Sequence, residues 1–190
     1  MKPKEIHAWR WRSFEKLLQY VCQQRHPKTV LEWGPGHSTH VVLNYALSAN
    51  ILSIEHHPTW FQRAKAQFQG CERVELVNRE VSLHGGKSQG YSGYPLYRAF
   101  QDGGQLERYD LVFVDGRNRF DCLMVARVLA KPNGIVMVHD CARDVYKPAI
   151  ESYPYYRYFD DVRTAVMSKS PIGFLDSFEQ GPVPTLDDGW

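Results

Sequence analysis

Apolar residues along the chain fall into two kinds of run. The first recurs at helical spacing: Phe14, Leu17, Leu18, Val21 and Cys22 predict an N-terminal helix over about Trp9 to Gln24. The second kind is short, nearly unbroken, and closed by a polar residue. Val30-Leu31 runs into Glu32, Ile51-Leu52-Ser53-Ile54 into Glu55, Leu111-Val112-Phe113-Val114 into Asp115, and Ile135-Val136-Met137-Val138 into His139 and Asp140. Runs of that length without polar alternation are the pattern of parallel strands covered on both faces. Helices are expected between them, over about Thr39 to Ser48, from Pro58 onward, and over Phe120 to Leu129, where Lys131-Pro132-Asn133-Gly134 ends the last one. A third strand is expected at Val74-Glu75-Leu76-Val77, continuing toward Glu80-Val81-Ser82. After Asp140, a helix from Arg143 to Glu151 should lead into Tyr156–Phe159 and Thr164–Ser168, which would finish the sheet as an antiparallel pair. Strand and helix in alternation predict an α/β domain with a mostly parallel sheet. The strand-closing acids then gather at the carboxyl edge, where open α/β sheets bind ligands.

The glycines after the first strand narrow the ligand. In Glu32-Trp33-Gly34-Pro35-Gly36-His37-Ser38-Thr39 the chain leaves the strand through a Gly-x-Gly turn and enters a helix, with Ser38 or Thr39 as the expected cap. A dinucleotide fingerprint would carry a third glycine where Thr39 stands, and Pro35 has no N–H to offer a pyrophosphate. No Lys follows the turn, so a phosphate-cradling P-loop is excluded. Glu32, just ahead of the turn, suits a positively charged ligand better than a phosphate. Glu55 follows the glycines by about 20 residues, the spacing at which a nucleoside site places a carboxylate on the ribose hydroxyls. The reading of Gly34-Pro35-Gly36 as a plain tight turn, and of Glu55 as a solvated strand end, stays open at this point.

The acid-x-Gly-x-Gly turn, the Glu55-His56-x-Pro58-x-Trp60 segment and the Val114-Asp115-Gly116-Arg117, Lys131-Pro132-Asn133-Gly134 and Val138-His139-Asp140 phrases, in this order and spacing, resemble the class I S-adenosylmethionine (SAM)-dependent methyltransferases, small O-methyltransferase-like branch. The resemblance covers about Val30 to Asp140. It implies a Rossmann-like fold with a seven-stranded sheet, helices on both faces and an antiparallel C-terminal strand. It also implies SAM as cofactor, held by Glu32, Trp33, Gly34, Pro35, Gly36, Ser38, Thr39, Glu55, His56, Glu80 and Asp115. His56 would pack on the adenosine, and Glu80 would accept from the adenine amino group.

Methyl transfer to a hydroxyl also needs a way to remove the proton. Two routes are written in the chain. His139 is a candidate general base, with Asp140 and Asp115 beside it. Alternatively, Asp115 and Asp140 resemble two carboxylate ligands of metal-dependent O-methyltransferases and would hold a magnesium ion. The third ligand there is commonly Asn or Asp after the second acid, and this chain has Cys141, a poor partner for a hard cation. The acceptor implied is a small-molecule or glycan hydroxyl, and tyrosines 91, 94 and 97 are candidates to line its pocket. A non-catalytic SAM-binding or interaction protein of the same fold is the alternative. An NAD-dependent oxidoreductase is disfavoured by Pro35 and Thr39.

Composition fits this outline. With 190 residues, 43% hydrophobic and 23% charged, the chain suits one soluble domain over 1–172, with an N-terminal helix in 1–28, a loop over the cleft at 83–107 and a tail at 173–190. A net charge of +2 argues against nucleic acid as an obligatory partner. Cys22, Cys71, Cys122 and Cys141 have no paired spacing, so neither a zinc site nor a disulfide framework is expected. No signal peptide and no membrane-spanning run is visible, which makes a cytoplasmic location the expectation. Whether the chain forms a homodimer stays open.

Overall fold

The computed structural model describes residues 4–81 and 90–178, and of residues 4–13 the main chain alone. Seven strands form one sheet: β1 (Thr29–Trp33), β2 (Asn50–Glu55), β3 (Val74–Asn78), β4 (Tyr109–Val114), β5 (Ala130–His139), β6 (Tyr155–Phe159) and β7 (Thr164–Ser168). Their order is β3-β2-β1-β4-β5-β7-β6. The first five are parallel, and β7 runs antiparallel to both β5 and β6. The helices are α1 (Lys4–Arg25), α2 (His37–Tyr45), α3 (Pro58–Gln67), α4 (Tyr94–Gln101), α5 (Arg119–Leu129) and α6 (Lys147–Glu151).

Both faces of the sheet are covered, as the unbroken apolar runs require. On one face Phe14, Leu17, Leu18 and Val21 of α1 pack against Val30, Phe113, Ile135 and Met137. On the other, Cys122, Leu123, Ala126 and Leu129 of α5 pack against Leu31, Val112, Val136 and Val138. Because β1 lies between β2 and β4, the chain turns to opposite flanks of the sheet after β1 and after β4. That topological switch opens a crevice at the carboxyl ends of β1 and β4.

Four local expectations need correction. First, the segment from 83 to 107 is not all irregular. It contains α4, which buries Pro95 and Ala99, with Pro95 in its first turn; residues 83–89 of the expected loop, and Ser82 of the expected third strand, lie outside the described residues. Second, β3 stops at Asn78, so Glu80 lies beyond the strand and is exposed. Third, Lys131-Pro132-Asn133-Gly134 ends α5 but belongs to β5, where the ladder with β4 shifts register between Tyr109 and Leu111. A Cβ on Gly134 would stand 2.7 Å from the Tyr109 carbonyl oxygen, so only glycine fits the shift. Fourth, the stretch after residue 172 does not simply trail off. Leu175 is fully buried in the α1-side core, and the Tyr20 hydroxyl donates to the Phe174 carbonyl at 2.7 Å. No helix among the described residues is long and apolar enough to cross a membrane.

Candidate active site

At the carboxyl edge the first acid, Glu32, is sealed. It is 1% exposed, and three hydroxyls donate to it: Ser38 Oγ to Oε1 at 2.5 Å, Thr39 Oγ1 to Oε2 at 2.7 Å and Ser53 Oγ to Oε2 at 2.6 Å. Ser53 reaches it because Glu32 and Ser53 are register partners in the parallel β1–β2 pair. Burial raises the Glu32 pKa, and the three hydroxyls oppose that shift. Glu32 therefore faces its own hydroxyl cage, which ties β1, β2 and the first turn of α2 together. The helix cap differs from expectation for the same reason. Gly36 is the capping position, its N–H donates to Thr39 Oγ1 at 3.0 Å, and Ser38 is turned onto Glu32.

The two glycines of the turn do different work. Gly34 has φ +91°, and a Cβ there would stand 3.0 Å from the Gly116 nitrogen and 3.1 Å from the Asp115 carbonyl carbon. It is the glycine on which β1 and the end of β4 close together. Gly36 has an extended φ of 166°, and nothing lies within 4 Å of where its Cβ would be. Here the main chain borders open space. Trp33 is fully buried, its indole N–H donating to the Tyr91 carbonyl at 3.0 Å, so only its main chain borders the turn. Pro35 is partly buried beside it.

Glu55 is 5% exposed, and the N–H groups of His56 and His57 both donate to its Oε1 at 2.8 Å. No described residue donates to Oε2. His56 Nδ1 stands 2.8 Å from Glu55 Oε1, off hydrogen-bond geometry, and is a buried nitrogen without a hydrogen-bond partner among the described residues. Desolvation lowers the His56 pKa against the pull of Glu55. Its ring meets Tyr91 edge-on at 5.3 Å. Tyr91 is itself buried, and its hydroxyl has no hydrogen-bond partner among the described residues. That hydroxyl occupies the space above Gly116, where a Cβ would come within 1.7 Å of it. Tyr91 thus does not line an open acceptor pocket as anticipated, and Tyr94 lies under the Arg79 guanidinium at 4.2 Å.

The other cluster sits where β4 and β5 end. Asp115 and Asp140 follow neighbouring strands, and the Arg119 guanidinium lies between them: Nη2 donates to Asp115 Oδ1 at 2.9 Å, and Nη1 stands 3.4 Å from Asp140 Oδ2. Arg163 Nη1 donates to Asp140 Oδ1 at 3.2 Å, so both oxygens of Asp140 are in ion pairs. Burial pushes Asp115 up to about 7; Arg119 opposes this, while Asp140 and Glu32 add to it. His139 goes the other way, down to about 4, through burial and the Arg119 and Arg163 charges, against Asp140. Its Nδ1 is 3.2 Å from Thr164 Oγ1 and its ring packs on Phe14 at 4.7 Å. His139 is therefore neutral near pH 7 and only weakly basic.

The magnesium ion considered for Asp115 and Asp140 does not fit these residues. A guanidinium already lies between the carboxylates, and burial holds the Cys141 thiol protonated, its pKa pushed up to about 11. Among the described residues no group of three His, Cys, Asp or Glu side chains is placed to hold a metal ion. SAM does fit: the chain offers a bare main chain at Gly36, a carboxylate oxygen at Glu55 with no described donor, and buried polar atoms at His56 and Tyr91. A separate cavity of about 730 Å³ lies at the opposite edge of the sheet, before β3, lined by Phe61, Phe68, Val74 and Leu76 among others. It gathers none of the strand-end acids.

Sequence reading did not anticipate Arg119, Arg163, Ser53 or the roles of Tyr91 and Gly116. Arg119 had a signal, standing four residues past Asp115 at the expected start of a helix. Ser53 had one too, as the lone hydroxyl in an otherwise apolar strand.

Solved structures share this architecture. A methyltransferase from Geobacter sulfurreducens superposes with a TM-score of 0.61 at 15% identity, covering 82% of this chain and 77% of that one. The fold is that of the class I methyltransferases. An O-methyltransferase from Bacillus cereus in complex with SAH gives 0.57 at 17% identity, covering 82% and 81%. TomG, an O-methyltransferase from Streptomyces achromogenes involved in tomaymycin synthesis, in complex with SAM, gives 0.58 at 15%, covering 82% and 79%. No family model and no curated protein matches the chain.

Proposed function

We propose that this chain is a SAM-dependent methyltransferase acting on a hydroxyl of a small molecule or sugar. The observation that carries this reading is the pairing, on one sheet edge, of open main chain at Gly36 with the Glu55 carboxylate, one oxygen of which has no described donor. In this reading Glu55 Oε2 takes the ribose hydroxyls and His56 and Tyr91 border the base. The hydroxyl cage on Glu32 keeps the turn rigid, so the main chain of residues 34–36 is organised before any ligand arrives. Glu80, exposed beyond β3, is a peripheral member of the set.

When bound, SAM supplies a methyl group activated on a positively charged sulfur. The chain's share of the work is alignment and proton removal. Of the three groups considered for the proton, Asp140 has both oxygens paired and His139 is only weakly basic. Asp115, raised to about 7, has the proton affinity that general-base work near neutral pH requires, and no described donor reaches its Oδ2. It is the group assigned to accept the acceptor's proton. The test is transfer of labelled methyl from SAM to a panel of hydroxylated small molecules and sugars, with Asp115→Asn as the control. Transfer that falls at least a hundredfold in Asp115→Asn supports both assignments. A second reading, binding of SAM without transfer, draws on the paired state of Asp140, and is supported if SAM binds while no acceptor is methylated.

A further inference from the structure

Asp115 and Asp140 follow adjacent parallel strands: Val114, one residue before Asp115, is in register with Val138, two residues before Asp140. Two such carboxylates repel unless positive charge is placed between them. Arg119 supplies it, and its contacts all run to the two strand ends. Nε donates to the Gly116 carbonyl at 3.0 Å, Nη2 to the Asp115 carbonyl at 3.2 Å and Asp115 Oδ1 at 2.9 Å, and Nη1 to the Asp140 carbonyl at 3.1 Å while facing Asp140 Oδ2 at 3.4 Å. Of the five N–H groups a guanidinium carries, these interactions use four as hydrogen bonds, and the contact to Asp140 Oδ2 is an ion pair. The side chain is only 13% exposed. Arg119 is therefore directed inward, onto the two strand ends.

The surrounding backbone is shaped to that purpose. Asn118, Asp140 and Arg163 are three of the four described non-glycine residues with positive φ, at 51°, 51° and 49°. Each is tied to Arg119 directly or through Asp140: Asn118 precedes it in the chain, Asp140 accepts from it, and Arg163 pairs with Asp140 while its carbonyl accepts from the Cys141 N–H at 2.9 Å. Left-handed backbone at side-chain-bearing residues persists only where the surroundings over-determine it.

We propose that Arg119 is the resident cation of this strand-end site, a guanidinium standing where two neighbouring carboxylates would otherwise recruit a divalent ion, and that it closes the site to metal. Arg119 is a positioning residue in this scheme: it fixes the two strand ends and leaves Asp115 Oδ2 without a described hydrogen-bond donor. A metal ion would hold the same carboxylates through exchangeable coordination positions, whereas a guanidinium holds them in one fixed fork. The proposal does not depend on the methyl-transfer reading.

Manganese titration of the purified full chain, followed by electron paramagnetic resonance, tests it. Wild type is expected to leave the ion free up to about 1 mM, the weak end of oxygen-ligand sites. Arg119→Ala is expected to gain one saturable site at or below that concentration, and adding Asp140→Asn should remove it. Stoichiometric binding by wild type that Asp115→Asn abolishes would overturn the proposal, and so would a folded Arg119→Ala that gains no site. Should Arg119→Ala fail to fold, the wild-type titration with its Asp115→Asn control decides alone.

Discussion

Alanine at Gly34 and alanine at Gly36 should fail in opposite ways, although the two glycines are one residue apart. At Gly34 the positive φ of +91° disfavours any side chain, at a cost of about 1–2 kcal/mol. The added Cβ would also stand 3.0–3.2 Å from main-chain atoms of Asp115 and Gly116, which cannot rotate away as a side-chain end could. Overpacking of that kind adds about 1–3 kcal/mol. Gly34→Ala should therefore lose roughly 2–5 kcal/mol, a fall in Tm of roughly 5 °C or more for a domain of this size. Gly36→Ala meets open space and should unfold within about 1 kcal/mol of wild type. Its defect should be in SAM binding, because its methyl occupies the surface the cofactor approaches. Urea unfolding and calorimetric titration on the two variants separate the effects. Gly34→Ala with wild-type stability, or Gly36→Ala that is destabilised but binds SAM normally, would refute the division of labour.

Two further outcomes follow from the site. Glu55→Gln keeps an oxygen for the His56 and His57 N–H groups but removes the charge, so it should weaken SAM by about tenfold or more, at least about 1.4 kcal/mol, with little change in Tm; Glu55→Ala, which strips both backbone partners, should lower Tm as well. His139, depressed to about 4, binds its proton less readily folded than unfolded, so its contribution is full above about pH 6.5 and is lost as pH falls toward 4. Denaturant unfolding of His139→Gln at pH 7.5 and pH 5 should show a smaller acid-side loss than wild type, by up to about 2 kcal/mol, and an unchanged difference would place the imidazole outside the buried cluster.

What the sequence made legible was whatever is written in short-range pattern. The apolar runs before Glu32, Glu55 and Asp115 identified three central strands and put their acids on one edge, because parallel strands buried on both faces leave little room for another reading. The glycine turn was equally plain, but which glycine serves the fold and which borders open space depends on how near β4 comes to it, and that is a tertiary distance. Helix α4 was masked because its apolar positions, such as Leu96 and Ala99, are interleaved with Tyr and preceded by Gly-rich sequence. Sequence reasoning assigned Glu32 to a ligand, yet the hydroxyl of Ser53, which claims it, arrives through β1–β2 register. Arg119 was the largest omission: the need for a cation between Asp115 and Asp140 follows from the strand order, but only side-chain placement shows that the chain carries that cation itself.

The central claim is that SAM is the ligand of the Gly36–Glu55 edge, and calorimetric titration of the wild-type chain with SAM, S-adenosylhomocysteine and NAD tests it most directly. The account predicts one saturable site for SAM and for S-adenosylhomocysteine, each weakened by Glu55→Gln, and no binding of NAD. Binding of NAD in their place, or SAM binding indifferent to both Glu55→Gln and Gly36→Ala, would contradict it.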